Sequence, residues 1–473
     1  MENGFKNYYI KRINMSDTMN QMIQQASKCA DEIKTHKEVQ LVSHIDADGI
    51  TSAAIIAKSL QRAGIEYNIQ FVKQLDENTV KTLADQNPEL VIFTDLGSGQ
   101  IEHINNYGLH AIISDHHRPQ GEIDFHLNPH LFGANGSFEI SGSGTTFILA
   151  SQLGDNKDLA DLAITGGVGD MQYRKYGKLV SLNREILESN PAYISSKNDI
   201  SLFGKQTRPV YKMLQYSSDP YLPGLTGNED ACVDFLHKTG IRSTNDEKWR
   251  RWIDLTDEEK TKISSSLLQY SMQNGLSSYN ISRLVSESYI LLQEKEGTEM
   301  RDASEYATLL NATGRYMKAE IGMAVCMGDR EEAYEDAKSL LATHRKNLVD
   351  GLNFVKNNGV IQLSNLQYFD AGKAIPETIV GIVAGMSHSS NNRRLPIIAF
   401  ADSEEGHKVS ARGTQELVNR GLNLSEAISK VCQEIGGAGG GHDIAAGATV
   451  PAGKKELFIE MLNSIIATQI VKK

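Results

Sequence analysis

Three potential ligands, His44, Asp46 and Asp48, fall within five residues of one another in the stretch VQLVSHIDADGITSAAI, which begins at Val39. Val39 to Val42 read as the end of a buried strand and Ile50 to Leu60 as an apolar-periodic helix. Residues i, i+2 and i+4 of an extended segment point to one side, so the three side chains project together where the strand ends. Carboxylates that close repel each other and are costly to desolvate unless a cation sits between them. An exposed acidic loop is the plainer alternative. A calcium loop fails, because Lys58 already lies one past the position where such a loop requires its Glu.

The acidic theme recurs three times. Asp95 closes LVIFTDLGSG, Asp115, His116 and His117 close AIISDHH, and Asp170 sits in ITGGVGDMQ. Taken alone, Asp95 reads as a helix cap and Asp170 as a turn residue. Paired histidines beside an Asp suit a metal site in which the carboxylate orients an imidazole. Four such positions converging on one sheet edge are far less expected by chance than any one. The donors are mostly carboxylates with one or two imidazoles and no thiolate, which suits manganese or magnesium better than zinc or copper. The carboxylates suffice for two ions bridged by one Asp. Two ions about 3.5–4 Å apart activate water and stabilise the leaving oxygen of an in-line phosphoryl displacement. No Walker A loop, GxSxG elbow or HExxH helix occurs, which removes kinase, esterase and zincin chemistry.

These residues need elements to hold them. The 473 residues exceed a single core, so two or more domains are expected. From Val39, apolar strands (VQLVSHID, YNIQFV, LVIFTD, HAIISD) alternate with helical stretches, the pattern of a parallel sheet covered on both faces. Strand carboxyl ends are where such sheets place their ligands. Further helices are expected near Thr145 to Leu153 and Leu159 to Gly166. Residues 1–38 read as an N-terminal helical segment, 39–330 as the catalytic domain, and about 174–300 as a mostly helical region within it. Residues 331–358 read as a connector helix and 359–473 as a smaller α/β domain with strands at VIQLSN, LPIIAF and HKVSAR. The class is α/β throughout.

Net charge is −11, which argues against coating nucleic acid through bulk positive charge but leaves a local phosphate-gripping cleft open. The four cysteines, Cys29, Cys232, Cys326 and Cys432, are far apart and read as reduced thiols. The N-terminus has no apolar signal region and no apolar run reaches membrane-spanning length, so a cytoplasmic protein with no membrane association is expected.

HIDADG, TDLGSG, SDHH and GGVGD, in that order, resemble the four motifs of the DHH phosphoesterase superfamily. KVSARG and GGAGGGHDIAAGA resemble the DHH-associated substrate-binding domain that follows it. The long middle region and LLNATGR (Leu309 to Arg315) resemble the archaeal RecJ-like nucleases, which include proteins that associate with the replication factor GINS. The resemblance implies that His44 and Asp46 hold one manganese and that Asp48, His116 and Asp170 hold the other, with Asp95 bridging. It implies that His117 contacts the scissile phosphate with Asp115 orienting it, so that His117, Asp115 and Asp95 carry the catalysis. Bacterial RecJ commonly opens the first motif with Asp where this chain has His44, a departure that bears on subfamily.

In the second domain the resemblance makes Arg412, Ser410, Gly439, Gly440, Gly441 and His442 substrate-binding. An arginine fork suits a phosphate, although a lone Arg is more commonly an edge-strand surface residue. The glycines are either a flexible loop or a set of backbone N–H groups that approach a phosphate as a nest. Arg393 and Arg394 read as a solvated face. The expected function is a manganese-dependent exonuclease (two ions, with Mg²⁺ as substitute) on single-stranded DNA or RNA threaded between the two domains, in replication or repair. Two other functions fit the same resemblance. One is a small-substrate phosphodiesterase or phosphatase acting on oligoribonucleotides, nucleoside bisphosphates or cyclic dinucleotides. The other is a replisome scaffold that binds GINS and the replicative helicase.

Overall fold

A computed structural model of the chain describes residues 2–217, 219–388 and 391–470. The chain divides into two units between Leu341 and Ala342. In the first, α1 (Glu2–Ile33) precedes β1 (Glu38–His44), α2 (Ala47–Ala63), β2 (Glu66–Val72) and α3 (Glu77–Asp85). β3 (Val91–Thr94), α4 (Ile101–Asn106), β4 (Ala111–Ser114) and β5 (His126–Leu127) follow. The sheet order is β2-β1-β3-β4-β5, every pair parallel.

The apolar runs VIFT and AIIS are buried throughout because both faces of the sheet are covered. Leu41, Ile92 and Ile112 join the core beneath α1 and α2, while Val42, Val91, Phe93 and Ile113 join Leu83 of α3 and Ile104 of α4 on the other side. The chain leaves β1 for β2 on one side and returns to β3 on the other. That reversal opens a crevice at the carboxyl ends of β1 and β3, where doubly wound sheets bind ligands.

The helices α5 (Gly142–Leu153), α6 (Ala160–Gly169) and α7 (Ser181–Ser189) complete the layer. Next, β6 (Ile194–Ile200) opens an insertion that holds α8 (Val210–Gln215), α9 (Glu229–Lys238), the short strands β7 (Thr244–Asn245) and β8 (Lys248–Trp249), α10 (Asp257–Gln273) and α11 (Ser278–Ser282). It is closed by β9 (Val285–Leu291), which pairs antiparallel with β6. Trp252, Phe235 and Met213 centre a separate core there. The helices of this region are legible in the sequence and the ribbon is not, because ISSKNDI is too polar to read as a strand. Two further helices, α12 (Ala303–Arg315) and α13 (Ala319–Met327), return to pack on α2. The division between units falls within α14 (Glu332–Asn358).

The second unit contains β10 (Ile361–Gln362), β11 (Gln367–Asp370), α15 (Val380–His388), β12 (Ile397–Ser403), β13 (Gly406–Arg412) and α16 (Gln415–Asn419). It continues through α17 (Leu424–Ile435), β14 (Ala438–Gly441), β15 (Ala445–Val450) and α18 (Lys455–Gln469). The mixed sheet runs β10-β11-β12-β13-β15-β14. Phe400, Val431 and Phe458 lie in the core on one face, and Ile397, Ala399 and Val383 in the core on the other. No helix among the described residues is long and apolar enough to cross a membrane.

Candidate metal centre

His44 ends β1, and its Nδ1 lies 3.1 Å from Asp46 Oδ2 and 3.6 Å from Asp95 Oδ2. Asp46 also caps α2, accepting the Gly49 N–H at 3.0 Å. Asp48 points into the layer instead. Its two carboxylate oxygens accept the N–H groups of Gly142 and Ser143 at the start of α5, at 2.7 and 2.9 Å. A helix N-terminus favours a negative charge placed there.

His116 follows β4. Its Nδ1 donates to Gly136 O at 2.7 Å, which leaves Nε2 with a lone pair facing Asp95 Oδ1 at 3.3 Å and Asp48 Oδ2 at 3.8 Å. Asp170 follows α6, not a strand, and its Oδ2 lies 3.9 Å from His116 Nδ1. The donors therefore include two groups, His44–Asp46–Asp95 and Asp48–His116–Asp170, each with one ligand atom per residue within 4.8 Å of the others.

Asp95 stands between the groups. It is not a helix cap, since α4 begins six residues later and its N-cap position is Gln100. Its φ is +58°, in the left-handed region that few non-glycine residues occupy. It is buried, and its Oδ1 makes no hydrogen bond although His116 Nε2 is close. A buried carboxylate oxygen without a donor is costly, and a divalent cation would satisfy it. That orphaned oxygen, with the carboxylate-rich donor set around it, fits the metal the sequence implied.

The charges in the cluster do not all push one way: the charge and hydrogen bond of His44 hold Asp46 below the usual carboxylate range despite its burial. Burial and the neighbouring Asp95 carboxylate raise Asp48 to about 8, and burial raises Asp170 to about 6 against the pull of His116. Burial alone would lower His44, yet the charge and hydrogen bond of Asp46 carry it up to about 11. A cation bound there would have to displace the proton that burial favours on Asp48.

His117 is exposed, with Nδ1 held 2.8 Å from Asp115 Oδ1. Asp115 is buried and also accepts the backbone N–H groups of His116 and Ser98 at 2.7 and 3.0 Å. These donors hold Asp115 below the usual carboxylate range despite its burial, and Asp115 in turn raises His117.

Two supporting residues are not apparent from the sequence alone. Gln172 Nε2 donates to Gly136 O, Ile140 O and Asp170 Oδ2 at 2.7, 3.1 and 3.0 Å, tying Asp170 to the loop that holds His116. Asn311 Oδ1 accepts the Ala47 N–H at 3.0 Å beneath the first motif. Both lie inside stretches already singled out, GGVGDMQ and LLNATGR, but a lone amide carries no spacing signal.

In the second unit, β13 lies between β12 and β15, so Arg412 is not on an edge strand. Ser410 and Arg412 share a face against α15, where a Cβ on Gly381 would meet Ser410 Oγ at 2.8 Å and Arg412 Nη2 at 2.6 Å. The glycine stretch is neither loop nor nest. Gly439, Gly440 and Gly441 lie in β14, the outermost strand, paired with β15. A Cβ on Gly439 would come within 2.7 Å of Ile428 and 2.9 Å of Cys432, so that glycine is required for α17 to lie close. His442 is exposed, and its backbone N–H is used on Ala445 O.

Comparison with known proteins agrees with this architecture. The DHH family N-terminal domain matches residues 38–167, the DHH-CID domain 202–285 and the DHHA1 domain 363–468. An uncharacterized protein of Methanocaldococcus jannaschii is 34% identical over 443 residues, 91% of this chain and 94% of its own. RecJ of Thermus thermophilus, solved in complex with Mn²⁺, has a TM-score of 0.59 at 16% identity, over 95% of this chain and 55% of that one. CDC45 of Entamoeba histolytica gives 0.67 at 13%, over 95% and 99%. At such identities the solved structures show a shared fold. The chain belongs to the DHH family, and its fold is like that of RecJ. Family and donor set together support a metal-dependent hydrolase.

Proposed function

We propose that the protein is a manganese-dependent exonuclease that hydrolyses phosphodiester bonds of single-stranded nucleic acid. The observation that carries this reading is Asp95, a buried carboxylate in a strained backbone that faces both donor groups and has an oxygen without a hydrogen bond. His44 and Asp46 would hold one ion and Asp48, His116 and Asp170 the other, with Asp95 placed to serve both. Bound there, two divalent cations supply a lowered water pKa and neutralise charge on the phosphate. Asp115 fixes His117 with its Nδ1 proton inward and favours the charged imidazole, leaving Nε2–H as a charge-assisted donor to a phosphate oxygen. In the second unit, Arg412 and Ser410 are phosphate contacts, with β14 and His442 one strand further across the sheet; such contacts position a strand and do no chemistry.

Digestion of single-stranded DNA and RNA labelled at either end tests this. Manganese should release label from one end progressively, and EDTA should stop it. Full hydrolysis in excess EDTA, or no hydrolysis of either polymer with manganese, overturns the proposal. The likeness to CDC45 favours a second reading, a replisome scaffold that binds GINS. A scaffold would keep its partner when Asp95 is replaced and would show no turnover before.

A further inference from the structure

A second donor cluster lies at the opposite, amino-terminal edge of the parallel sheet. Glu32 is in the last turn of α1, His36 is in the link to β1, and His110 immediately precedes β4. One ligand atom from each falls within 4.8 Å of the others. His110 Nε2 lies 3.3 Å from Glu32 Oε1.

Three features distinguish this cluster from a chance surface ion pair. First, His36 Nδ1 lies 3.1 Å from the Glu32 backbone carbonyl and 3.0 Å from Thr35 Oγ1. Donation to that carbonyl fixes the Nδ1–H tautomer and leaves the Nε2 lone pair for a cation, the arrangement that orients metal-bound histidines. Second, the two imidazoles have centroids 5.7 Å apart and are tilted by 58°, not stacked. Two imidazoles on one tetrahedral ion, each bonded at about 2.0–2.1 Å, hold their centroids roughly 5 Å apart. Third, both supports are fixed: Val91 N–H binds the His110 carbonyl at 2.9 Å, and His36 N–H binds Ile33 O at 3.1 Å.

We propose that Glu32, His36 and His110 form a binding site for one zinc-type divalent cation, separate from the catalytic centre, that clasps the end of α1 to the start of β4. Two imidazoles and one carboxylate suit zinc better than manganese or magnesium. The half-exposed position leaves a fourth place for water. The carboxylate-rich centre at the other edge prefers the opposite class of ion, so one chain sorts two metals by donor chemistry.

The test uses full-length protein stripped of metal and then saturated with manganese. Zinc is titrated calorimetrically, and bound manganese is counted by elemental analysis so that zinc replacing manganese registers as manganese loss. The wild type should take one further zinc without losing manganese, and its thermal midpoint should rise. His110→Gln and Glu32→Gln should each weaken that zinc at least tenfold and abolish the midpoint shift, with manganese-dependent turnover unchanged. His110 is on the surface, so His110→Gln keeps the test interpretable if another variant fails to fold. Equal zinc stoichiometry and affinity in wild type and His110→Gln, or no zinc bound beyond that replacing manganese, overturns the proposal.

Discussion

At the scale of single residues, Asp95 joins backbone strain to electrostatic strain. A non-glycine residue in the left-handed region costs on the order of 1–3 kcal/mol, and its carboxylate faces Asp48 across the cluster. Asparagine tolerates that backbone region and removes the charge. Asp95→Asn should therefore leave the thermal midpoint of the metal-free protein unchanged or higher. It should also weaken manganese binding and reduce turnover by more than the 10–100-fold that loss of an outer-shell partner costs. Calorimetric titration and a rate measurement on the same preparation decide this. A variant with a lowered midpoint and near-normal rate would show that Asp95 is a structural residue only. Asp46 shows the reverse economy, serving as a candidate ligand through one oxygen and as a helix cap through the other.

At the scale of elements, the strands that carry the motifs were readable because each is a short apolar run that ends abruptly in a polar cluster, as VIFT does before Asp95. The β6–β9 ribbon was not, because only five of its fourteen residues are buried and its partners are 97 positions apart at the Ile194–Leu291 pair. Strand β14 was hidden because four small residues carry no strand propensity, and Gly439 is there for packing beneath α17. Likewise LLNATGR could be noticed but not explained. In the fold, a Cβ on Gly314 would lie 1.7 Å from Ile45 O, inside the first motif. Gly314→Ala should push α12 away from that loop and cost about 1–3 kcal/mol or more by overpacking. It should also weaken manganese binding without touching a ligand, and an unchanged midpoint and unchanged manganese affinity would count against this coupling. A second prediction at this scale concerns Glu305 on α12. Its carboxyl accepts the Gln206 N–H and Thr207 hydroxyl at 2.7 and 2.5 Å, joining α12 to the insertion. Burial, with help from Asp302, raises it from 4.5 to about 7. A carboxyl raised on folding contributes stability that is fully present below its unfolded pKa and is lost as pH rises through the folded one. The effect reaches on the order of 3 kcal/mol at its limit. Glu305→Gln should gain thermal midpoint relative to wild type between about pH 5 and about pH 8; parallel curves for the two proteins would remove Glu305 from the account.

At the scale of the whole molecule, a net charge of −11 must be reconciled with the polyanionic substrate proposed above. Bulk attraction is absent, so binding has to rest on a few local contacts, and its dependence on salt should be shallow. For single strands the slope of log K against log salt is about 0.7 per phosphate neutralised, so each contact is separately measurable. Arg412 is the residue on which to measure one. It ends β13 on the face shared with Ser410, at an inner strand where the sheet fixes its backbone on both sides. If it holds a phosphate, Arg412→Ala should cost roughly one to two decades of affinity for a short single strand, the value of a charge-assisted hydrogen bond of about 1.5–3 kcal/mol. The salt slope should fall by about 0.7. Manganese binding should be unchanged, because that donor set lies wholly in the first unit. Titrations of wild type and variant at several salt concentrations, in calcium or without turnover, read affinity and slope together. A loss of affinity with an unaltered slope would mean that the substitution disturbed packing against α15 and removed no phosphate contact. Identical affinity and identical slope would take Arg412 out of the path of the substrate altogether.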